Sequence, residues 1–127
     1  MIEITIHGIP IPKGRPRFVR FKNGRVGAFT PEDTEIWEKD VQFAALPHRP
    51  RVPLDGALEA EMIFYLHRPG GTRREYPSVR PDLDNYAKAV LDALNGIIYT
   101  DDSRIVKMTL SKLYGEPRVE VKIWEAK

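Results

Sequence analysis

The sequence predicts an α+β fold, an α/β sandwich in which a mixed β-sheet of about four strands is covered by two helices, in the order β-α-β-α-β-β. Three observations predict it. Four short stretches are typical of strands, and two stretches repeat apolar residues with the period of a helix. The third is length, because 127 residues form one domain, residues 1–127, with enough chain to bury a core.

The first half predicts a strand, a basic loop, a helix and a second strand. Residues 1–9 place isoleucines at alternate positions, as a strand with one buried face does. Prolines and glycines then exclude regular structure from the basic stretch. A helix begins at Thr30, an N-cap residue followed by Pro31 and two acids, and ends at Pro47. Residues 58–66 alternate apolar and polar side chains and form the second strand.

The second half predicts one helix and two strands. Apolar residues follow the 3.6 period from about residue 84 to residue 95, and Gly96 provides the left-handed stop. Residues 105–113 and 119–124 are strand-like, and the turn at residues 114–117 predicts that they form a hairpin.

The charges are unevenly distributed although 20 Lys and Arg nearly balance 18 Asp and Glu, giving a formal charge of +2. Every charged residue between positions 11 and 31 is basic, and removing these six from +2 leaves −4 for the remainder. The six are Lys13, Arg15, Arg17, Arg20, Lys22 and Arg25. Arg68, Arg73, Arg74 and Arg80 form a second basic region. Each region alone fits a solvated face, but two of them, one containing Phe18 and Phe21, favour a phosphate-backbone partner.

Composition also excludes several classes of protein. The chain has no cysteine, which excludes disulfides, thiolate zinc sites and cysteine catalysis and fits a reducing compartment. No apolar run approaches a membrane span, and the N-terminal residues do not resemble a secretion signal. We therefore expect a soluble, cytoplasmic protein.

Acidic residues gather around the second helix. Asp82 and Asp84 stand at its start, and Asp101 and Asp102 follow its end. Carboxylate oxygens are hard ligands, and magnesium is usually held by one or two of them with waters and substrate phosphate oxygens. Lys88 lies four residues after Asp84, so both share one helix face, where the ammonium can neutralise charge on a phosphoryl oxygen.

Each of these features also has a simpler interpretation. Asp82 or Asp84 caps the helix, Asp84 and Lys88 form a surface ion pair, and Asp101 with Asp102 forms a turn. Each alternative alone is commoner than a metal ligand. Four carboxylates within about twenty residues, in a chain with basic loops, nevertheless exceed what capping requires.

The run at residues 81–123, PDLDNYAKAVLDALNGIIYTDDSRIVKMTLSKLYGEPRVEVKI, resembles the RusA family of Holliday-junction resolvases, which are metal-dependent endonucleases. The DLDN motif, the lysine three residues later, LDALNG and the DD pair carry the resemblance. It implies that Asp82, Asp84 and Asp102 are the essential acids that bind metal, that Lys88 is the functional lysine, and that Asp101 has a secondary role at the same site.

The resemblance further implies a homodimer that binds four-way junction DNA and makes paired, symmetric nicks with Mg²⁺ or Mn²⁺. The predicted phosphate contacts are Lys13, Arg15, Arg17, Arg20, Lys22, Arg25, Arg73, Arg74 and Arg80. Phe18 or Phe21 is the candidate wedge at the junction centre, with packing in the loop or core as the alternative. The chain departs from the family in one place, where residues 78–81 replace a run of arginines before the DLD motif.

Two other functions stay open on the sequence alone. One is a catalytically silent module that binds branched DNA, in which the acids only cap and turn. The other is a metal-dependent nuclease for flaps, single strands or RNA. His7, His48 and His67 lack the spacing of metal ligands and are interpreted as surface or structural residues.

Overall fold

The computed structural model describes residues 1–13 and 30–127, and within them the elements follow the predicted β-α-β-α-β-β order. They are β1 (Ile2–His7), α1 (Pro31–Ala45), β2 (Leu58–Leu66), α2 (Leu83–Leu94), β3 (Ile105–Tyr114) and β4 (Arg118–Glu125), with short 3₁₀ turns at Leu46–His48 and Asp102–Arg104. This mixed sheet with two helices confirms the α+β class. The wedge candidates Phe18 and Phe21 and the basic residues Arg15, Arg17, Arg20, Lys22 and Arg25 lie outside the described residues.

The sheet has the strand order β1-β4-β2-β3. β4 is antiparallel to both β1 and β2, whereas β2 and β3 are parallel and are connected through α2. The predicted hairpin between β3 and β4 is therefore wrong, because β2 lies between them. β4 instead fills the sheet between the first and second strands.

A glycine at the β3–β4 connection makes this strand order possible. Three residues, 115–117, cross the end of β2, a step of about 10 Å that four Cα intervals can span. A Cβ on Gly115 would lie 2.9 Å from Tyr65 Cδ1, so a residue with a side chain would collide there. The Gly115 amide also donates to the Leu66 carbonyl at 2.9 Å. The turn signal in the sequence thus marks a step across a strand.

The core lies between one face of the sheet and the two helices. Alternate residues of β2 and β4 are buried on this face, namely Leu58, Ala60, Met62, Phe64, Val119, Val121 and Ile123. α2 buries Ala87, Val90 and Leu94 against them, and Tyr86 stacks on Phe64 with ring centroids 5.4 Å apart. Burial raises the pKa of Tyr86 to about 12, so its hydroxyl stays neutral. Because α2 is packed against the sheet along its length, the position of its N-terminal residues, Asp82 and Asp84 among them, is fixed relative to the core.

The first helix begins as the sequence predicts. Thr30 forms a capping box, in which its hydroxyl accepts from the Asp33 amide and the Asp33 carboxylate accepts from the Thr30 amide, both at 3.0 Å. Trp37, Val41 and Ala45 are buried, as expected for one face of the helix. Within residues 1–13 and 30–127, no helix combines the length and apolar character that crossing a membrane requires.

The capping box gives a stability prediction. Replacing Thr30 with alanine removes the hydroxyl that accepts from the Asp33 amide, so we expect the free energy of unfolding to fall by about 1 kcal/mol in urea titrations. Thr30→Ser keeps the hydroxyl and is expected to stay within about 0.5 kcal/mol of the wild type. Equal losses in the two variants would show that the hydroxyl does not cap the helix.

Candidate active site

Asp82 and Asp84 are exposed at the start of α2. Asp82 occupies the N-cap position, yet its side chain makes no capping hydrogen bond. Between them, Leu83 is half-buried against the core and holds the segment in place. Among the described residues, neither carboxylate forms a side-chain hydrogen bond or an ion pair. Helix capping therefore does not account for these two acids, and both are available to a ligand.

Lys88 pairs with a different acid from the one that the sequence predicts. Its ammonium lies 3.4 Å from Asp92 on the next turn of α2, and the described residues contain no ion pair between Lys88 and Asp84. The Asp92 side chain is only 24% exposed, and a poorly solvated carboxylate attracts a cation more strongly than an exposed one. Asp84, Lys88 and Asp92 form a column with alternating charge on one helix face.

The two acids after α2 have different environments. Asp101 accepts a hydrogen bond from the Ser103 amide at 3.0 Å and so caps the 3₁₀ turn. These hydrogen bonds to Ser103 hold the pKa of Asp101 below its usual range. Asp102 is half-buried and makes no such cap. The turn interpretation thus fits Asp101, while the Asp102 carboxylate is available.

A buried tyrosine shows where Asp102 lies relative to α2. Tyr99 is fully buried, and its hydroxyl donates to the Leu91 carbonyl at 2.7 Å. Burial raises the pKa of Tyr99 far above its usual range, and the negative charges of Asp102, Asp92 and Asp101 raise it further. The Asp102 charge is therefore close to the second half of α2. Asp84 lies eight residues before Asp92, about 12 Å along the helix axis.

This separation bears on the predicted metal site. Among residues 1–13 and 30–127, no group of three or more His, Asp or Glu side chains is close enough to hold a metal ion. The donors have the right chemistry, because exposed carboxylate oxygens suit a hard cation. One or two of them suffice when waters and phosphate oxygens complete the shell. The assignment of Asp82, Asp84, Asp102 and Asp101 as metal ligands stays a prediction.

Lys13, at the start of the basic loop, is fixed between the two helices. Its ammonium lies 3.0 Å from Glu38 and 3.2 Å from Asp92, and its amide donates to the Asn85 carbonyl at 2.9 Å. Burial alone would lower the pKa of Lys13, but the hydrogen bonds to Glu38 and Asp92 outweigh it and raise the pKa. The charge that was predicted to contact DNA is thus already paired within the protein.

Sequence reasoning missed both partners of Lys13. Asp92 carries a usable signal, because it follows Lys88 by four residues. Glu38 carries none, since it is 25 residues from Lys13 in the chain. Both matter because they fix the first residue of the basic loop beside the DLDN segment.

The remaining described candidates lie on the surface. Arg73, Arg74 and Arg80 are exposed in the segment that leads into Asp82, and Arg74 donates to the Ser78 hydroxyl at 3.3 Å. Their position before the acidic residues suits phosphate contacts near the candidate site. His7, His48 and His67 are all exposed, as surface residues should be.

These features define a class of protein: a small α+β protein with available carboxylates and a lysine on one helix, approached by basic side chains, which is typical of metal-dependent enzymes that act on phosphodiesters. The chain matches the family model described as Endodeoxyribonuclease RusA over residues 7–124, and it belongs to that family. The family consists of endonucleases that resolve Holliday junctions and that in general depend on divalent metal ions.

A curated relative covers nearly the whole chain. The sequence is 36% identical over 137 residues to a protein of Bacillus subtilis (strain 168) that is called "Uncharacterized protein YqaN". The match includes 98% of this chain and 96% of the relative. The similarity therefore extends beyond the motif-rich C-terminal part to the N-terminal strand and α1.

The raised pKa of Lys13 predicts how stability depends on pH. Because the folded-state pKa lies above the ordinary value of 10.5, the ion pairs contribute fully below that pH and are lost as pH rises through the folded-state pKa. We expect Lys13→Met to lower the free energy of unfolding by about 1 kcal/mol from about pH 7 to pH 9, and the difference to shrink above about pH 10.5.

Denaturant titrations at several pH values measure this difference. Lys39→Met, which removes an exposed lysine of α1, is the control and should show a small effect at every pH. A Lys13 effect that does not change at high pH would indicate that packing of the side-chain stem, rather than its charge, carries the contribution.

Proposed function

We propose that this protein is a homodimeric, magnesium-dependent endonuclease that resolves four-way DNA junctions by paired, symmetric phosphodiester hydrolysis in recombination and repair. One observation carries the proposal: Asp82 stands at a helix N-cap without capping, and Asp84 beside it has no partner among the described residues. Membership in the family described as Endodeoxyribonuclease RusA supports the endonuclease activity and the junction substrate of this proposal. Because the substrate is DNA, we also propose a cytoplasmic location.

In this proposal, Asp82 and Asp84 would hold the cation at the start of α2. Asp102, beside the second half of the helix, would add negative charge that attracts the hydrated cation, and Asp101 shapes the turn that presents Asp102. When bound there, Mg²⁺ or Mn²⁺ would supply Lewis-acid chemistry, which lowers the pKa of a water and stabilises negative charge on the phosphate. With Asp82 and Asp84 at the start of α2, waters and phosphate oxygens of the substrate would complete the set of ligands.

Lys88 is the proposed electrophilic side chain. Its side chain is 60% exposed, and Asp92 holds its ammonium on the helix face that also carries Asp84. From that position the ammonium donates hydrogen bonds to a phosphoryl oxygen and offsets the charge that grows there during hydrolysis. Because Asp92 is in turn paired with Lys13, the orientation of Lys88 depends on a connected set of charges.

Contacts with the DNA arms are assigned to the basic residues around the site. Arg73, Arg74 and Arg80 are exposed in the segment that precedes Asp82 in the chain. The other proposed contacts come from the basic residues that follow Lys13 in the sequence. Such contacts neutralise phosphates and give affinity without reading base sequence. The junction itself supplies specificity through its shape, and Phe18 or Phe21 is the proposed wedge.

The homodimer follows from the symmetry of the reaction. Two opposed nicks in a four-way junction need two active sites related by a two-fold axis. A chain with one acidic site supplies half of this arrangement.

The proposal predicts that Asp82→Asn separates binding from catalysis. Removing this ligand should lower the rate of cleavage of a labelled four-way junction by more than about 100-fold in Mg²⁺. Binding of the junction without metal should be retained, because phosphate contacts carry it. Asp40→Asn, which neutralises an exposed acid on α1, is the matched control and should cleave like the wild type.

The same assay distinguishes the other functions. Binding without cleavage by the wild type, in Mg²⁺ and in Mn²⁺, would identify a binding module. Preferential cleavage of flaps, single strands or RNA over junctions, or nicks that are not paired, would identify a different nuclease.

A second prediction concerns the metal without DNA. Repulsion between the carboxylates destabilises the empty site, so Mg²⁺ should raise the melting temperature of the wild type. At ten times its Kd, bound Mg²⁺ adds about 1.4 kcal/mol, which corresponds to a shift of about 5 °C. Asp40→Asn should show the same shift in differential scanning fluorimetry. No shift in the wild type, or an equal shift in Asp82→Asn, would count against the assigned ligands.

A further inference from the structure

Lys112 of β3 makes contacts that neither the motif nor the proposed chemistry explains. Its ammonium donates to the Val79 carbonyl at 2.8 Å and to the Pro81 carbonyl at 3.0 Å. Pro81 directly precedes Asp82, so these bonds hold the backbone at the point where it enters the acidic segment. A lysine of the sheet is thus hydrogen-bonded to the segment that carries the proposed metal ligands Asp82 and Asp84.

Little else ties this segment to the sheet. Among the described residues, the two Lys112 bonds are the hydrogen bonds that join residues 76–82 to a strand. A cavity of about 390 Å³ lies between this segment and β3, lined by residues that include Tyr76, Pro77 and Leu83. Apolar packing therefore leaves space under the segment, and the polar contacts have correspondingly greater importance.

The Lys112 ammonium binds backbone carbonyls instead of a carboxylate. None of the ion pairs among the described residues includes Lys112, so its ammonium is directed to backbone carbonyls. Hydrogen bonds from a charged donor are stronger than those between neutral groups.

We infer that Lys112 is a positioning residue that holds the Asp82–Asp84 segment in the conformation that binds the metal ion. This inference rests on the proposed function for its metal, but the contacts themselves can be tested without it. Mutation of a residue that supports a metal ligand through hydrogen bonds typically lowers metal affinity or activity by about 10-fold to 100-fold.

The test compares Lys112→Met with Lys107→Met. Methionine keeps the apolar stem and removes the donor, and Lys107 is an exposed lysine of the same strand, so both variants lose one positive charge. The first measurement is hydrogen exchange without metal. The Asn85 and Tyr86 amides, which donate to the Asp82 carbonyl, report on the segment, and the Val90 amide reports on the rest of α2.

We expect the Asn85 and Tyr86 amides to exchange at least about 10-fold faster in Lys112→Met, with Val90 unchanged, and no change in Lys107→Met. Equal exchange in the two variants would overturn the inference whether or not the protein is a nuclease. If Lys112→Met does not fold, Lys112→Arg, which keeps a charged donor, provides the comparison and should show an intermediate increase.

The second measurement is the Mg²⁺ concentration for half-maximal junction cleavage. Lys112→Met should raise it by about 10-fold or more, Lys112→Arg should recover part of the loss, and Lys107→Met should stay within about 2-fold of the wild type. A lower melting temperature with an unchanged Mg²⁺ requirement would overturn the positioning role in favour of a purely structural one. A wild type without metal-dependent cleavage would refute the proposed function, while the hydrogen exchange result would still decide whether Lys112 holds the segment.

Discussion

The parallel pairing of β2 and β3 through α2 is the constraint on which the candidate site depends. A parallel pair needs a crossover, so α2 runs back along the sheet before β3 begins beside β2. The acids at the start of α2 consequently lie where β2 ends, and Asp102 follows the return of the chain. β3 then runs back toward the start of α2, which is why Lys112, late in the strand, reaches Pro81. One connection therefore organises residues that are about 30 positions apart in the chain.

Much of the fold could be predicted because its signals are local. The alternation in β2 and the caps of α1 each depend on neighbouring residues, and both are confirmed. The position of β4 could not be predicted, because strand pairing is decided by contacts between distant segments. The residues 114–117 suit a hairpin and suit a step across β2 equally well; the decisive contact, between Gly115 and Tyr65, involves residues 50 positions apart.

The candidate site shows the same division. The motif at residues 82–88 identifies the acids and the lysine, since their spacing on a helix is fixed by helical geometry. The ion-pair partner of Lys88 is harder to predict from the sequence, because carboxylates stand both four residues before Lys88 and four residues after it. Choosing between them requires the burial of Asp92 and its contact with Lys13, and both are tertiary facts. No sequence spacing predicts the contacts of Lys112, because its acceptors are backbone carbonyls about 30 residues earlier in the chain.

The distribution of charge explains why these particular acids are the ones left for a cation. Asp92 lies near the buried Tyr99 and is compensated by two ammonium groups, Lys13 and Lys88. Asp101 is compensated by the backbone of its own turn. Of the five acids between residues 82 and 102, Asp82, Asp84 and Asp102 therefore remain without such compensation in the part of the chain that the structure describes, and a divalent ion would neutralise their charge. The formal charge of +2 includes these acids, so a bound divalent ion would make the surface that meets DNA more positive than the count indicates.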